Sequence, residues 1–219
     1  MKRYVSLEEI SDGKLYRAND MVKADCMGCK GCSKCCHGMG DTILLDPYDV
    51  FRWERGLQKS LQAFLEEGLV ALGVVDGVIL PHLVMQGEEE RCGFLDAQGR
   101  CGIHAHRPGI CRLFPLGRYY EDGSFRYFLQ KSECDKPKAK IKVEKWLETE
   151  ELPRYEEYIR QWHGLILEAE EAFEKGDEAL QKNLNLMLLK TFFLTPYEAE
   201  LPFYRQFEER LINYHRIRY

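Results

Sequence analysis

The chain has no apolar run approaching the roughly 18 residues a membrane span needs. Its opening, MKRYVSLEEISDGKLYRAND, lacks the apolar core of a signal peptide. These absences lead to the expectation of a cytoplasmic protein with no membrane partner. A basic stripe is missing too, and the net charge is −5, which argues against tracking a phosphate backbone and so against nucleic acid. No glycine-rich strand-to-helix turn of the nucleotide-cradling kind is present. Fixed-period repeats and low-complexity linkers are absent as well. The 219 residues therefore read as one generous domain, or one domain with a helical extension. Finally, the last 85 residues contain no cysteine.

All nine cysteines lie before that point: Cys26, Cys29, Cys32, Cys35, Cys36, Cys92, Cys101, Cys111 and Cys134. Five of them fall within CMGCKGCSKCCHG, residues 26–38. A reducing compartment disfavours structural disulfides, and an odd total leaves one thiol over, so metal or catalysis is the stronger reading. A nucleophilic Cys111, with His104, His106 and flanking arginines nearby, is the catalytic version. Eight other cysteines weigh against it.

Four thiolates make a closed site for zinc or an iron–sulfur cluster. Two-residue gaps separate Cys26, Cys29, Cys32 and Cys35, which lets successive sulfurs turn towards one centre. The Cys26-x2-Cys29-x2-Cys32-x3-Cys36 spacing matches a bacterial ferredoxin loop, except that His37 stands where proline is usual. In extended backbone the side chains of Cys35 and Cys36 point to opposite faces. That geometry calls for two sites or one polynuclear cluster. Cys29, Cys32, Cys35, Cys36, Cys92, Cys101, Cys111 and Cys134 are the expected ligands. Cys26, His37, His104 and His106 stay open as further ligands. Arg107 and Arg112 flank Cys111, where guanidinium groups neutralise thiolate charge around a bound cofactor.

The expected fold class is α+β. Residues 1–140 form a small cysteine-rich, metal-centred core with short strands and a hairpin, and 141–219 form a helical region packed on it. Residues 1–20 read as a capped turn and a strand. Asp46 caps a helix with Pro47 in its first turn and Val50, Trp53, Leu57, Leu61 and Phe64 at helical spacing; Gly56 divides it and Gly68 ends it. GVILPHLVMQ reads as an edge strand because of its proline. RYYEDGSFRYFL reads as a hairpin around Asp122-Gly123. Tyr155, Tyr158, Trp162, Leu165 and Ile166 form a helical stripe that, like the stripes of the helices after it, reads as core or as a surface packed on the cysteine domain, with Tyr155 to Trp162 also the first candidate for a docking surface. ALQKNLNLMLLKTFFL is a second helix. Thr195-Pro196 starts a third, carrying Tyr197, Leu201, Tyr204, Phe207 and Leu211.

Two long motifs bring in a resemblance. Cys29-Lys-Gly-Cys32-Ser-Lys-Cys35-Cys36 is a CxxCxxCC motif, and Cys92-Gly-Phe-Leu, Cys101 and RPGICRLFP from Arg107 to Pro115 follow in order. Over roughly residues 25–135 the chain resembles the YkgJ-like cysteine-cluster family of zinc- or iron-chelating domains. The resemblance implies metal held by these cysteines. Some relatives are similar to a flagellin lysine methylase, which implies a methyltransferase-like alternative, but the radical Cys-x3-Cys-x2-Cys motif is absent here. The expected cofactor is an iron–sulfur cluster, [4Fe-4S] in its simplest form, possessed by an oxidoreductase or electron carrier with a protein redox partner. Zinc in a structural or metal-handling module is the alternative.

Overall fold

The computed structural model describes residues 6–25, 32–131, 134 and 139–218. A first short helix, α1 (Leu7–Ile10), is capped by Ser6, and strand β1 (Met21–Asp25) follows. The expected strand thus falls just after residue 20. The Asp46 side chain accepts from Asp49 N at 2.9 Å and the Asp49 carboxylate accepts from Asp46 N at 3.2 Å. This reciprocal box, with Pro47 in the first turn, starts α2 (Pro47–Leu57) as expected. The division of the helix comes at Gln58, which takes the left-handed conformation (φ 52°), rather than at Gly56. Ser60 then caps α3 (Leu61–Glu66).

Two hairpins follow the same turn chemistry. Strands β2 (Val70–Val75) and β3 (Val78–Leu83) join at Asp76-Gly77, both with positive φ. Strands β6 (Leu116–Glu121) and β7 (Ser124–Leu129) join at Asp122-Gly123 in the same way, and this second hairpin is the one expected. The short β4 (Met85–Gln86) pairs with β5 (Arg91–Cys92), and β1 pairs with β8 (Ala139–Lys142). All four are two-stranded antiparallel pairs, so Pro81 in β3 breaks no larger ladder; its carbonyl accepts from Leu45 N at 2.9 Å. Between β5 and β6 lies α4 (Gly109–Leu113), and after β8 comes α5 (Val143–Leu147). With the helices that follow, this is an α+β architecture.

Helix α6 (Leu152–Lys175) buries Tyr155, Tyr158, Ile159, Trp162 and Leu165 along one stripe. Tyr155 to Trp162 is therefore core, not the docking surface its aromatics suggested: the three rings are 4%, 2% and 9% exposed. Helix α7 (Glu178–Leu189) runs into a π-helical turn, Lys190–Leu194. The last helix, α8, spans Phe203–Arg218 and starts after Pro202 rather than at Thr195-Pro196. Tyr197, Tyr204 and Phe207 are buried as expected, but Leu201 is 43% exposed in the loop before α8. Tyr48 of α2 meets Phe203 at 4.9 Å, and its backbone N–H donates to the Tyr158 hydroxyl at 3.1 Å. One continuous core runs from α2 to α8. No helix among the described residues is long and apolar enough to cross a membrane.

Two features of this packing carry predictions. Asn185 of α7 is buried and clamps the first hairpin, accepting from Ile79 N at 2.7 Å and donating to Gly77 O at 3.0 Å. Asn185→Ala orphans both groups and is expected to cost about 1–3 kcal/mol in chemical denaturation. His163 stacks on Tyr120 with centroids 3.6 Å apart and planes within 5°. Burial, with the Arg118 charge adding to it, lowers its pKa from 6.5 to about 4. The unfolded chain takes up a proton first, so stability falls as pH drops from 6.5 towards 4. His163→Phe keeps the stack and should flatten the fall in melting temperature across that window.

Candidate metal centre

Cys35 and Cys36 sit in a single 3-10 turn, Lys34–Cys36, closed by Cys36 N donating to Ser33 O at 2.8 Å. The turn is a correction to the extended backbone expected there. Instead of facing opposite ways, the two sulfurs stand 4.0 Å apart. His37 follows with Nδ1 2.9 Å from Ser33 O, and Gly38 N donates to Glu90 O at 3.0 Å, tying this segment to the β4–β5 pair. Cys92 lies in β5 opposite Met85. The loop to Cys101 is folded on Asp96, whose carboxylate accepts from Gln98 N at 2.9 Å and Arg100 N at 2.8 Å.

Helix α2 grips the segment that carries Cys111. Asp49, 2% exposed, accepts from Gly109 N at 2.8 Å. Trp53 Nε1 donates to His106 O at 2.7 Å, and Arg52 donates to Ala105 O at 2.7 Å. The contact is close because Gly56 and Gly109 have no side chains: a Cβ at Gly56 would strike the His106 ring, and one at Gly109 the Tyr155 hydroxyl. Asp46 was legible as a cap, but Asp49, Arg52 and Trp53 were not legible as anchors. Their partners are backbone groups more than fifty residues away, and helical spacing carries no signal for that.

The result is an assembly of five thiols. Cys36 lies in the electrostatic field of Cys35, Cys92 and Cys111, while Cys111 lies in that of Cys92, Cys35 and Cys101. Burial pushes up the pKa of Cys92, Cys101 and Cys111. The vicinal pair divides its protons differently. A hydrogen bond from Cys36 brings Cys35 down to about 7, helped by Arg107 and His37, while the same bond and burial raise Cys36. Of the pair, Cys35 is thus the sulfur that loses its proton more readily. A cation reverses this balance, because coordinating thiols lose their protons to metal.

The remaining expected residues take distinct places. Cys32 and Cys134 are half-buried thiols that make no hydrogen bond or electrostatic contact with the five among the described residues. Cys26 and Cys29 lie outside the described residues. Arg107 faces Cys35 and Cys101, and its buried Nε has no hydrogen-bond partner. Arg112 turns elsewhere, donating to Ala105 O at 3.1 Å and Glu148 O at 3.5 Å. His104 is exposed, and His106 packs against α2. A cavity of about 570 Å³ opens beside Cys35, His37 and Phe114, so solvent-side molecules reach the edge of the thiol group.

Among the described residues, no group of three or more His, Cys, Asp or Glu side chains is arranged to hold a metal ion. The five thiols are electrostatic neighbours rather than a closed coordination shell. Their chemistry nevertheless fits a soft or borderline metal: soft donors only, one thiol made more acidic by its neighbour, and a guanidinium whose charge acts on Cys35 and Cys101. Closing the shell is the part of folding that metal would drive.

Residues 28–146 match the model of the CxxCxxCC family, described as "Putative zinc- or iron-chelating domain". The chain belongs to this family. The match covers more than half of the 219 residues and takes in Cys29, Cys32, Cys35, Cys36, Cys92, Cys101, Cys111 and Cys134. As a CxxCxxCC protein it is of the metal-binding, zinc- or iron-chelating kind. No curated protein matches it, and no solved structure does.

Proposed function

We propose that the cysteine centre holds an iron–sulfur cluster and serves electron transfer, alone or in support of a partner enzyme. One observation carries this reading. Five thiols, Cys35, Cys36, Cys92, Cys101 and Cys111, share one electrostatic neighbourhood, and a closed mononuclear site uses only four. Cys29, Cys32 and Cys134 of the same family span would complete the set. When bound, the cluster supplies one-electron chemistry at a potential set by charge and hydrogen bonds around its sulfurs. The chain's own contribution is to hold the thiolates, to bring the Arg107 guanidinium to Cys35 and Cys101, and to leave Cys35 at a cavity where electrons have a short route out. The test is reduction of anaerobically purified protein by dithionite, followed by absorption and electron paramagnetic resonance. Bleaching with a reduced-cluster signal supports redox chemistry.

A second reading rests on the 4.0 Å between Cys35 and Cys36. Thiolates about 2.3 Å from a tetrahedral zinc stand about 3.8 Å apart, so this pair already spans one edge of such a site. Zinc in a structural or metal-handling module is the corresponding function. A colourless protein that dithionite leaves unchanged would select it. Cytoplasmic placement accords with either reading and is tested by fractionation.

A further inference from the structure

A second cavity, about 520 Å³, is lined by α2, the His104–His106 turn, residues of α4 and the chain before α6. That volume is of the size that small-molecule ligands occupy. Arg52, Arg55 and Arg112 line it together with His106, and Tyr48 and Tyr155 supply aromatic wall. The opposing acids are Asp49, Glu148 and Glu150. Asp49 is already engaged by the N–H groups of Gly109 and Asp46, and Glu148 approaches Arg112 no closer than 4.0 Å with a 67% exposed side chain.

The arginines keep their charge available. Arg52 is anchored on carbonyl oxygens, Ala105 at 2.7 Å and Arg107 at 3.4 Å, and Arg112, 8% exposed, is likewise anchored on carbonyls of Ala105 and Glu148. Carbonyl acceptors fix a guanidinium in place without cancelling its charge. Arg52 and Arg112 meet at the same oxygen, Ala105 O. Arg55 is exposed and has no hydrogen-bond or ion-pair partner among the described residues. Like charges held together beside an aromatic wall cost free energy that an oxyanion between them relieves, and guanidinium forks match carboxylate and phosphate oxygens.

We infer that this cavity binds a small organic anion, its carboxylate or phosphate head held by Arg52, Arg55 and Arg112 and its apolar body set against Tyr48 and Tyr155. The site does not depend on which metal the cysteines hold.

Calorimetric titration of the full-length protein with phenyl phosphate, benzoate and inorganic phosphate tests it, with metal content measured on every sample. Saturable binding of phenyl phosphate or benzoate is expected, tighter than that of inorganic phosphate; whichever aromatic probe binds more tightly names the head group. Arg55→Gln should weaken binding about tenfold with metal content and melting temperature unchanged, and Arg55→Lys should weaken it less. Arg205→Gln, on the exposed face of α8, should leave binding as it was. Absence of saturable binding, inorganic phosphate binding as tightly as phenyl phosphate, or equal losses in Arg55→Gln and Arg205→Gln would each overturn the assignment.

Discussion

Serine at Cys35 and serine at Cys36, made separately, are expected to lose the same metal to the same extent. The two sulfurs share one turn and stand 4.0 Å apart, so the proposed reading has them serve one centre. Each loss should exceed the roughly 10–100-fold drop in affinity that removal of an outer-shell partner causes, because a direct ligand is gone. The variants should nonetheless differ in pH behaviour. The hydrogen bond from Cys36 lowers the pKa of Cys35, making Cys35 the more acidic of the two thiols. Serine at Cys36 replaces that donor with a hydroxyl and should leave Cys35 reactive towards alkylating agents in metal-free protein, whereas serine at Cys35 removes the reactive sulfur. Metal-to-protein ratios in the two variants check the first point and alkylation rates the second. Unequal metal loss, with each variant retaining a different part, would show two independent sites.

The second large effect is expected at Asp49, far in sequence from any cysteine it supports. Its carboxylate caps its own helix through Asp46 N and holds Gly109 N two residues before Cys111. Asp49→Ala removes half of the capping box, worth about 1 kcal/mol. It also orphans a buried N–H, worth about 1–3 kcal/mol. The sum, about 2–4 kcal/mol, corresponds to a melting temperature lower by roughly 5–15 °C for a protein of this size. Metal affinity should fall with it, since the Cys111 segment loses one of its three anchors on α2. Asp49→Asn keeps an acceptor for Gly109 N but turns an amide donor towards Asp46 N, and should lie between. Unchanged stability in Asp49→Ala would contradict the role given to this contact.

These residues show where sequence reading reached and where it stopped. Local signals were legible: the Asp46 cap with Pro47, the Asp122-Gly123 turn between aromatic strands, and the Tyr155–Trp162 stripe each have their cause within a few residues. The Asp76-Gly77 turn was equally local, yet β2 went unread. Its residues Val70–Val75 are apolar on both faces, with Leu72 and Val74 exposed, so they show no clean alternation. Gly56 looked like a helix breaker because glycine weakens helices. Its actual use is steric, giving His106 room against α2. Cys35 and Cys36 were placed on opposite faces by assuming extended backbone, and the Ser33–Cys36 hydrogen bond that curls the turn has no sequence signature of its own. The thiol gathering itself depends on contacts between α2 and residues 105–109, which only the tertiary fold displays.

The central claim is that these cysteines hold metal, in the form of an iron–sulfur cluster. It is tested most directly by elemental analysis of anaerobically purified protein, with acid-labile sulfide and the visible spectrum measured on the same sample. The account predicts iron and sulfide in matching amounts and a brown protein. Zinc alone in a colourless sample would contradict the electron-transfer function while leaving the thiol centre in place. Protein that purifies without metal and takes up neither iron nor zinc would contradict the account at its root.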